Sequence, residues 1–202
     1  MRTRNLLKVC GVIIMLWLWG CADVPPTHYY MFRPDSAPTA AAAAKYPGVL
    51  AVGSFEPDVP YQQAKIVYRT SPYEVNFYEY HQWLRPLAEM VADQALKFIA
   101  AAGLLQQVQA YTPESSSDYI LRGRIKMFDF WYDEQASLVR IRIEYALFAA
   151  KTDQLLWRDT VETTAPAPNS KVVETVKGFE TALQENILQA LAALERVFAQ
   201  QK

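Results

Sequence analysis

The groups from which an enzyme or a metal centre would be built are few in this 202-residue chain: two histidines, two cysteines and scattered carboxylates. His28 and His81 stand far apart in sequence, and neither falls in the spacing of a metal-ligand pair. His81 sits where a strand meets a helix, a place for a packed or capping histidine. Asp129, Asp133 and Glu134 gather near a hairpin tip without the glycine and further ligands of a calcium loop, so a solvated turn is expected there. Ser115, Ser116 and Ser117 lie in a loop with no base motif beside them. Gly48, Gly53, Gly103, Gly123 and Gly178 are scattered singly, so no phosphate-cradling loop is present. This inventory predicts no catalytic residue, no metal site and no cofactor. A hydrolase with dispersed carboxylates is the enzyme reading that it disfavours.

One constellation is non-catalytic. Arg122, Arg124 and Lys126 project to one side of the segment "YILRGRIKMFDFWY" (119–132), and Arg140 and Arg142 project the same way from "SLVRIRIEYALFA" (137–149). They form a set of cations on one sheet face of a chain whose formal charge is −1. Such a face is either solvated and balanced by Glu144 and nearby carboxylates, or it docks an acidic partner or lipid phosphates. In the second case each cation beside a membrane contributes about 1 kcal/mol. A second crowded stretch, "IVYRTSPYEVNFYEYHQW" (66–83), holds Tyr68, Tyr73, Phe77, Tyr78, Tyr80 and Trp83. Aromatic side chains at a sheet corner chiefly fill the seam between sheet and helix.

The elements that hold these residues follow from periodicity. Strands are expected over 28–32, 48–55, 65–70, 75–80, 105–111, 119–132, 137–149 and 154–162, where side chains alternate or turn residues bound apolar runs. Leu84, Leu87, Val91, Ala95, Phe98 and Ala102 share one helical face, which predicts a helix from about 82 to 102, with Pro86 near its start and Gly103 at its stop. Val172, Val176, Phe179, Leu183, Ile187, Leu191, Leu194 and Phe198 mark a second, long helix, which Gly178 kinks or weakens by about 1 kcal/mol relative to alanine. The segment "TTAPAPNS" (163–170) breaks the sheet before it. Strict alternation puts Tyr119, Leu121, Ile125, Met127 and Trp131 on one face with Val139, Ile141, Ile143, Tyr145 and Leu147. That pairing requires an odd turn, of three residues, around Asp133-Glu134-Gln135. The predicted fold is α+β: a largely antiparallel sheet with two amphipathic helices packed on one face, forming a single domain over 28–202.

The first residues carry a different signal. Arg2, Arg4 and Lys8 precede an uncharged apolar run, Val9 to Trp19, far short of the roughly 20 residues that span a bilayer. This reads as an export signal over 1–20. The run ends Leu18-Trp19-Gly20-Cys21, which resembles the lipobox of bacterial lipoproteins, with Trp19 bulkier than the usual occupant. The resemblance implies that Cys21 becomes the acylated first residue, carrying palmitate-type chains that anchor it in a membrane. Cys10 has no apolar run before it. Ala22 after the cysteine implies delivery to the outer membrane with the domain facing the periplasm; the inner membrane is the alternative. Residues 21–27 then form the acylated cysteine and a short tether, and the six residues "ADVPPT" reach at most about 20 Å. Loss of Arg2, Arg4 and Lys8 leaves a net charge of about −4, opposite to the basic excess of nucleic-acid binders. With Cys21 as the one remaining cysteine, no internal disulfide and no cysteine-based zinc site is expected.

The order of further motifs resembles the ABC-type transport auxiliary lipoprotein family, which includes the paraquat-inducible lipoprotein C type that accompanies MCE-domain lipid transporters. The motifs are Tyr29-Tyr30-Met31-Phe32, Val52-Gly53, Ile66-Val67-Tyr68-Arg69 and the Trp83-centred stretch from Tyr80 to Leu87. Gln63-Ala64 depart from the family, where a basic or proline-containing pair is frequent. The resemblance implies a non-catalytic adaptor or tether in a lipid-transport system between membranes, with an MCE-domain or other transporter component as partner and a homo-oligomer as a possible state. Tyr68, Arg69, Tyr78 and Trp83 are the neighbourhood it ties to partner binding or its scaffold. The competing reading is an outer-membrane assembly lipoprotein that positions a pore or a cell-wall enzyme. A lipid carrier with its own cavity is disfavoured by a filled two-helix core.

Overall fold

The computed structural model describes residues 24–33, 44–133, 137–168 and 171–200; Leu18 to Cys21, most of the alanine-rich stretch, and Glu134 with Gln135 lie outside them. Among the described residues the strands are β1 (His28–Tyr30), β2 (Tyr46–Pro57), β3 (Lys65–Arg69), β4 (Asn76–Trp83), β5 (Leu105–Ala110), β6 (Tyr119–Tyr132), β7 (Ser137–Ala149) and β8 (Gln154–Pro166). The helices are α1 (Leu87–Ala101) and α2 (Val172–Gln200).

β6 organises the sheet. Along one side it pairs antiparallel with β7, which in turn pairs antiparallel with β8. Along the other side its first half lies parallel to β2 and its last residues lie parallel to β3. β2 carries β5 outside it, and β3 carries β4 and then β1, giving eight strands. The antiparallel expectation thus holds for the long β6–β7–β8 meander and the β3–β4 hairpin. The shorter β1–β4, β2–β5, β2–β6 and β3–β6 ladders are parallel. These join strands remote in sequence, which alternation within a strand does not reveal.

Both helices lie on one face and touch each other: α1 packs on β2 and β5, α2 on β7 and β8. Leu87, Val91, Ala95 and Phe98 of α1 are buried, as are Val176, Phe179, Leu183, Ile187, Leu194 and Phe198 of α2. The first helix begins later than its periodicity suggests. Pro86 is its N-cap, and a proline pushes the residue before it out of the helical region. Leu84 is left outside the helix at 54% exposure, and Trp83 closes β4. β8 also runs further than expected, through Pro166, because an edge strand tolerates a residue with no N–H to donate. α2 continues through Gly178 unbroken. A Cβ there would lie 3.2 Å from both Ala167 Cβ and the Pro166 carbonyl, so the glycine permits close approach of helix to sheet.

A bulge in β6 corrects the predicted face assignment. Ile125 pairs with Ile143, but Met127 pairs with Arg142, so one residue is inserted at Lys126. Before it, Leu121 and Ile125 face the helices; after it, Phe128 and Phe130 do, and Met127 and Trp131 turn to the open face. The hairpin closes at Tyr132 opposite Ser137, so its turn holds an even number of residues rather than three. The extra residue shifts the pairing by one, and the turn must change parity with it. On the covered face, Phe55 of β2 lies over Gly123 of β6, edge-on to Tyr145 at 5.8 Å. A Cβ on Gly123 would sit 2.2 Å from the Phe55 ring.

Candidate functional site

The bulge carries Asp129 onto the open face of the sheet, where it is 0% exposed. Its Oδ1 accepts from Arg140, the residue opposite in β7, at 2.9 Å from Nε and 2.8 Å from Nη2. Its Oδ2 accepts from Arg69 Nε at 2.9 Å and from the Tyr61 hydroxyl at 3.1 Å. Tyr61 reaches it from a short 3-10 turn, Val59–Tyr61, and its phenol pKa is pushed up by burial and then by the Asp129 charge. The Arg140 guanidinium lies 4.2 Å over the Trp131 ring. Asp129 is therefore an internal anion clamped by two arginines, where the sequence suggested a solvated turn. Asp129 lies inside β6 rather than in the turn beyond it, and Arg69, Tyr61 and Arg140 enclose it there. Asp133 accepts from Trp131 Nε1 at 2.6 Å instead of joining Asp129. Among the described residues no group of three His, Cys, Asp or Glu is placed to hold a metal ion.

Arg122, Arg124, Lys126, Arg140 and Arg142 do share the open face, and each meets a carboxylate. Beyond the Arg140–Asp129 pair, Arg122 meets Asp153 at 3.1 Å and Arg124 meets Asp58 at 2.7 Å. Lys126 meets Glu144 at 2.6 Å, and Arg142 meets Glu162 at 2.7 Å. The Lys126 hydrogen bond, with Arg158 and Arg124 farther off, holds the Glu144 carboxyl below the usual carboxylate range. The face is a lattice of ion pairs, most of it wet: the Arg124 side chain is 60% exposed, against 22% for Arg140. Next to Arg124 an open cleft of about 680 Å³ runs along Glu56, Asp58 and Pro60.

Tyr68, Arg69, Tyr78 and Trp83 are not one cluster. Trp83 is 4% exposed and packs among Phe32, Phe128 and Phe179. Arg69 turns to Asp129 on the opposite face. Tyr68 and Tyr78 stay together, with ring centroids 4.8 Å apart, and Tyr78 stands edge-on to His81 at 5.5 Å. His81 belongs to β4 rather than to a helix junction, and the parallel β1–β4 ladder sets it opposite His28. The two imidazoles stack at 5.2 Å, and Tyr30 Oη shares a 2.8 Å hydrogen bond with His81 Nδ1. Burial, then the proximity of His28, lowers the His81 pKa. Sequence reading misses this pair because a parallel ladder between distant segments leaves no periodic trace. Farther along, the Arg33 backbone N–H and Nε both donate to Glu180, at 3.0 and 2.9 Å, fastening the chain after β1 to α2. Cys21 lies outside the described residues.

The family model of the ABC-type transport auxiliary lipoprotein component matches residues 30–190. The chain belongs to that family. Its fold is shared by a crystal structure of a Xanthomonas campestris protein of the DUF330 family, 17% identical, with a TM-score of 0.72, covering 87% of this chain and 98% of that one. An uncharacterised protein of known structure is 15% identical with a TM-score of 0.67, covering 84% and 99% of the two chains. A hypothetical protein from Chlamydia trachomatis is 10% identical with a TM-score of 0.50, covering 75% and 98%. A comparison with curated proteins gives no significant match. Among the described residues no helix is long and apolar enough to cross a membrane, and the family description as a lipoprotein makes the chain membrane-anchored.

Proposed function

We propose that this chain is a non-catalytic adaptor of an MCE-type lipid-transport system, anchored through acylated Cys21 to the outer membrane with its domain in the periplasm. One observation carries the reading: the auxiliary-lipoprotein match begins at residue 30, directly behind the Leu18-Trp19-Gly20-Cys21 motif and a short tether. The architecture supports an adaptor. Its core is filled by aromatic and aliphatic side chains, and among the described residues the most deeply buried carboxylate, Asp129, is held by two arginines. Docking to the transporter uses the open sheet face, where Arg122, Arg124 and Arg142 are 40–60% exposed. Tyr68, Arg69, Tyr78 and Trp83 serve as scaffold beneath it.

The test is capture of the full-length protein from native membranes after cross-linking, with mass spectrometry of co-captured proteins. Recovery of a permease, an ATPase or an MCE-domain protein is expected, and it is lost when Arg124→Glu and Arg142→Glu are combined. Recovery of only pores or cell-wall enzymes would replace this reading with the assembly-lipoprotein one.

A further inference from the structure

The strand directions show which end of the domain the membrane tether leaves from. β1 runs parallel to β4, β4 runs antiparallel to β3, and the end of β3 lies beside the end of β6, with Arg69 opposite Trp131. The chain before β1 therefore heads toward the end of the sheet that carries the β3–β4 turn and the β6–β7 hairpin, starting from His28 beside His81 in the last part of β4. β8 finishes at the same end, where Pro166 pairs with Leu138 and the Ala167 N–H donates to the Ser137 carbonyl at 3.0 Å. α2 begins there too.

This end presents large apolar and aromatic side chains to solvent. Tyr73, in the β3–β4 turn, is 97% exposed, Val173 at the start of α2 is 48% and Tyr132 at the end of β6 is 43%; Tyr29, opposite Gln82 and so farther from the turn, is 60% exposed. Tyr29 and Val173 border one cleft of about 710 Å³ between β1 and α2. Three of the four are tyrosines, whose ring and hydroxyl suit the zone between headgroups and acyl chains. Charges near them are mixed: Lys171 and Lys177 stand with Glu74, Asp133 and Glu174, and Lys177 already pairs with Glu174 at 2.9 Å. Val24, 74% exposed, lies three residues after Cys21, a span of at most about 11 Å.

We infer that this tyrosine-rimmed end of the domain rests on the phospholipid headgroup layer, so that the open sheet face stands along the membrane normal. The inference rests on acylation of Cys21. The seat is built from ring and aliphatic burial rather than cation excess, so it forms on zwitterionic lipid and persists in salt.

The experiment uses the full-length acylated protein in phosphatidylcholine vesicles, with a nitroxide attached at Tyr73→Cys, Val173→Cys or, as the distal control at the start of β8, Leu155→Cys. Collisional access to oxygen and to a water-soluble nickel complex is read by power saturation. The oxygen-to-nickel access ratio is expected to rise several-fold at 73 and 173 on vesicle binding, and to stay constant at 155, in low and high salt alike. Vesicle-bound protein with all three labels equally open to nickel overturns the seat and leaves the anchor standing. Protein that remains free of vesicles, with an unmodified Cys21 by mass spectrometry, overturns both.

Discussion

The two faces of the sheet solve the same problem in opposite ways. Under the helices, polar groups are few and closed among themselves. The Tyr145 hydroxyl donates to Asn186 Oδ1 at 2.8 Å, Asn186 Nδ2 donates to the Val161 carbonyl at 3.0 Å, and the Thr163 hydroxyl donates to the Ala182 carbonyl at 2.8 Å. Burial pushes the Tyr145 phenol pKa far up. On the open face, charge is abundant and layered: Asp129 is locked at the inside, and the pairs of Arg122, Arg124 and Arg142 lie in water. The difference separates groups that hold the fold from groups available to a partner, even where both kinds sit on one strand.

Breaking that comparison begins at Asp129. Asp129→Ala leaves two part-buried guanidiniums uncompensated, and urea unfolding is expected to show a loss of about 3–5 kcal/mol. A loss no larger than that of an exposed pair would erase the distinction between the two layers. Next is the covered face. Asn186→Leu strands the Tyr145 hydroxyl and the Val161 carbonyl, for an expected loss of about 1–3 kcal/mol. Gly123→Ala drives a methyl into the Phe55 ring and is expected to lose a similar amount, about 1–3 kcal/mol by overpacking; an unchanged unfolding midpoint for Gly123→Ala would mean that the ring moves freely.

A smaller effect sharpens the contrast through pH. The folded-state pKa of His81 is lowered from 6.5, by burial and then by His28, so the unfolded chain takes up the proton first. Stability is then complete above pH 6.5 and declines as pH falls from there through the folded pKa. Thermal midpoints measured across that range are expected to fall with acidification, and His81→Gln flattens the slope. The least effect on stability belongs to the wet pairs: Arg124→Ala and Arg142→Ala are each expected to leave the unfolding midpoint nearly unchanged, while partner capture weakens. A large loss of stability from either would place these arginines with Asp129.

Legibility in the sequence followed the range of each interaction. Periodicity located α2 nearly end to end, because a 3.6-residue repeat through Phe179, Leu183 and Ile187 is local information. Alternation also placed Arg122, Arg124, Arg140 and Arg142 on one face, and the motif order from Tyr29 to Trp83 pointed to the family. What stayed hidden was non-local or was a break in the repeat. The parallel β1–β4 ladder that stacks His28 on His81 joins segments with no shared pattern. The inserted residue at Lys126 is invisible in composition, so Phe128 and Phe130 were left off the core face and Asp129 was assigned to a wet turn.

That insertion is a spare residue in the ladder, with no opposite number in β7. Deleting Lys126 would leave Ile125 opposite Ile143 and Met127 opposite Arg142 in an unbroken alternating ladder, so Phe128 and Phe130 would still face the helices and Asp129 the arginines, at the cost of the Lys126–Glu144 pair. Substitutions along this stretch change one contact at a time, and loss of Lys126 would straighten the strand without changing which side chains meet α2.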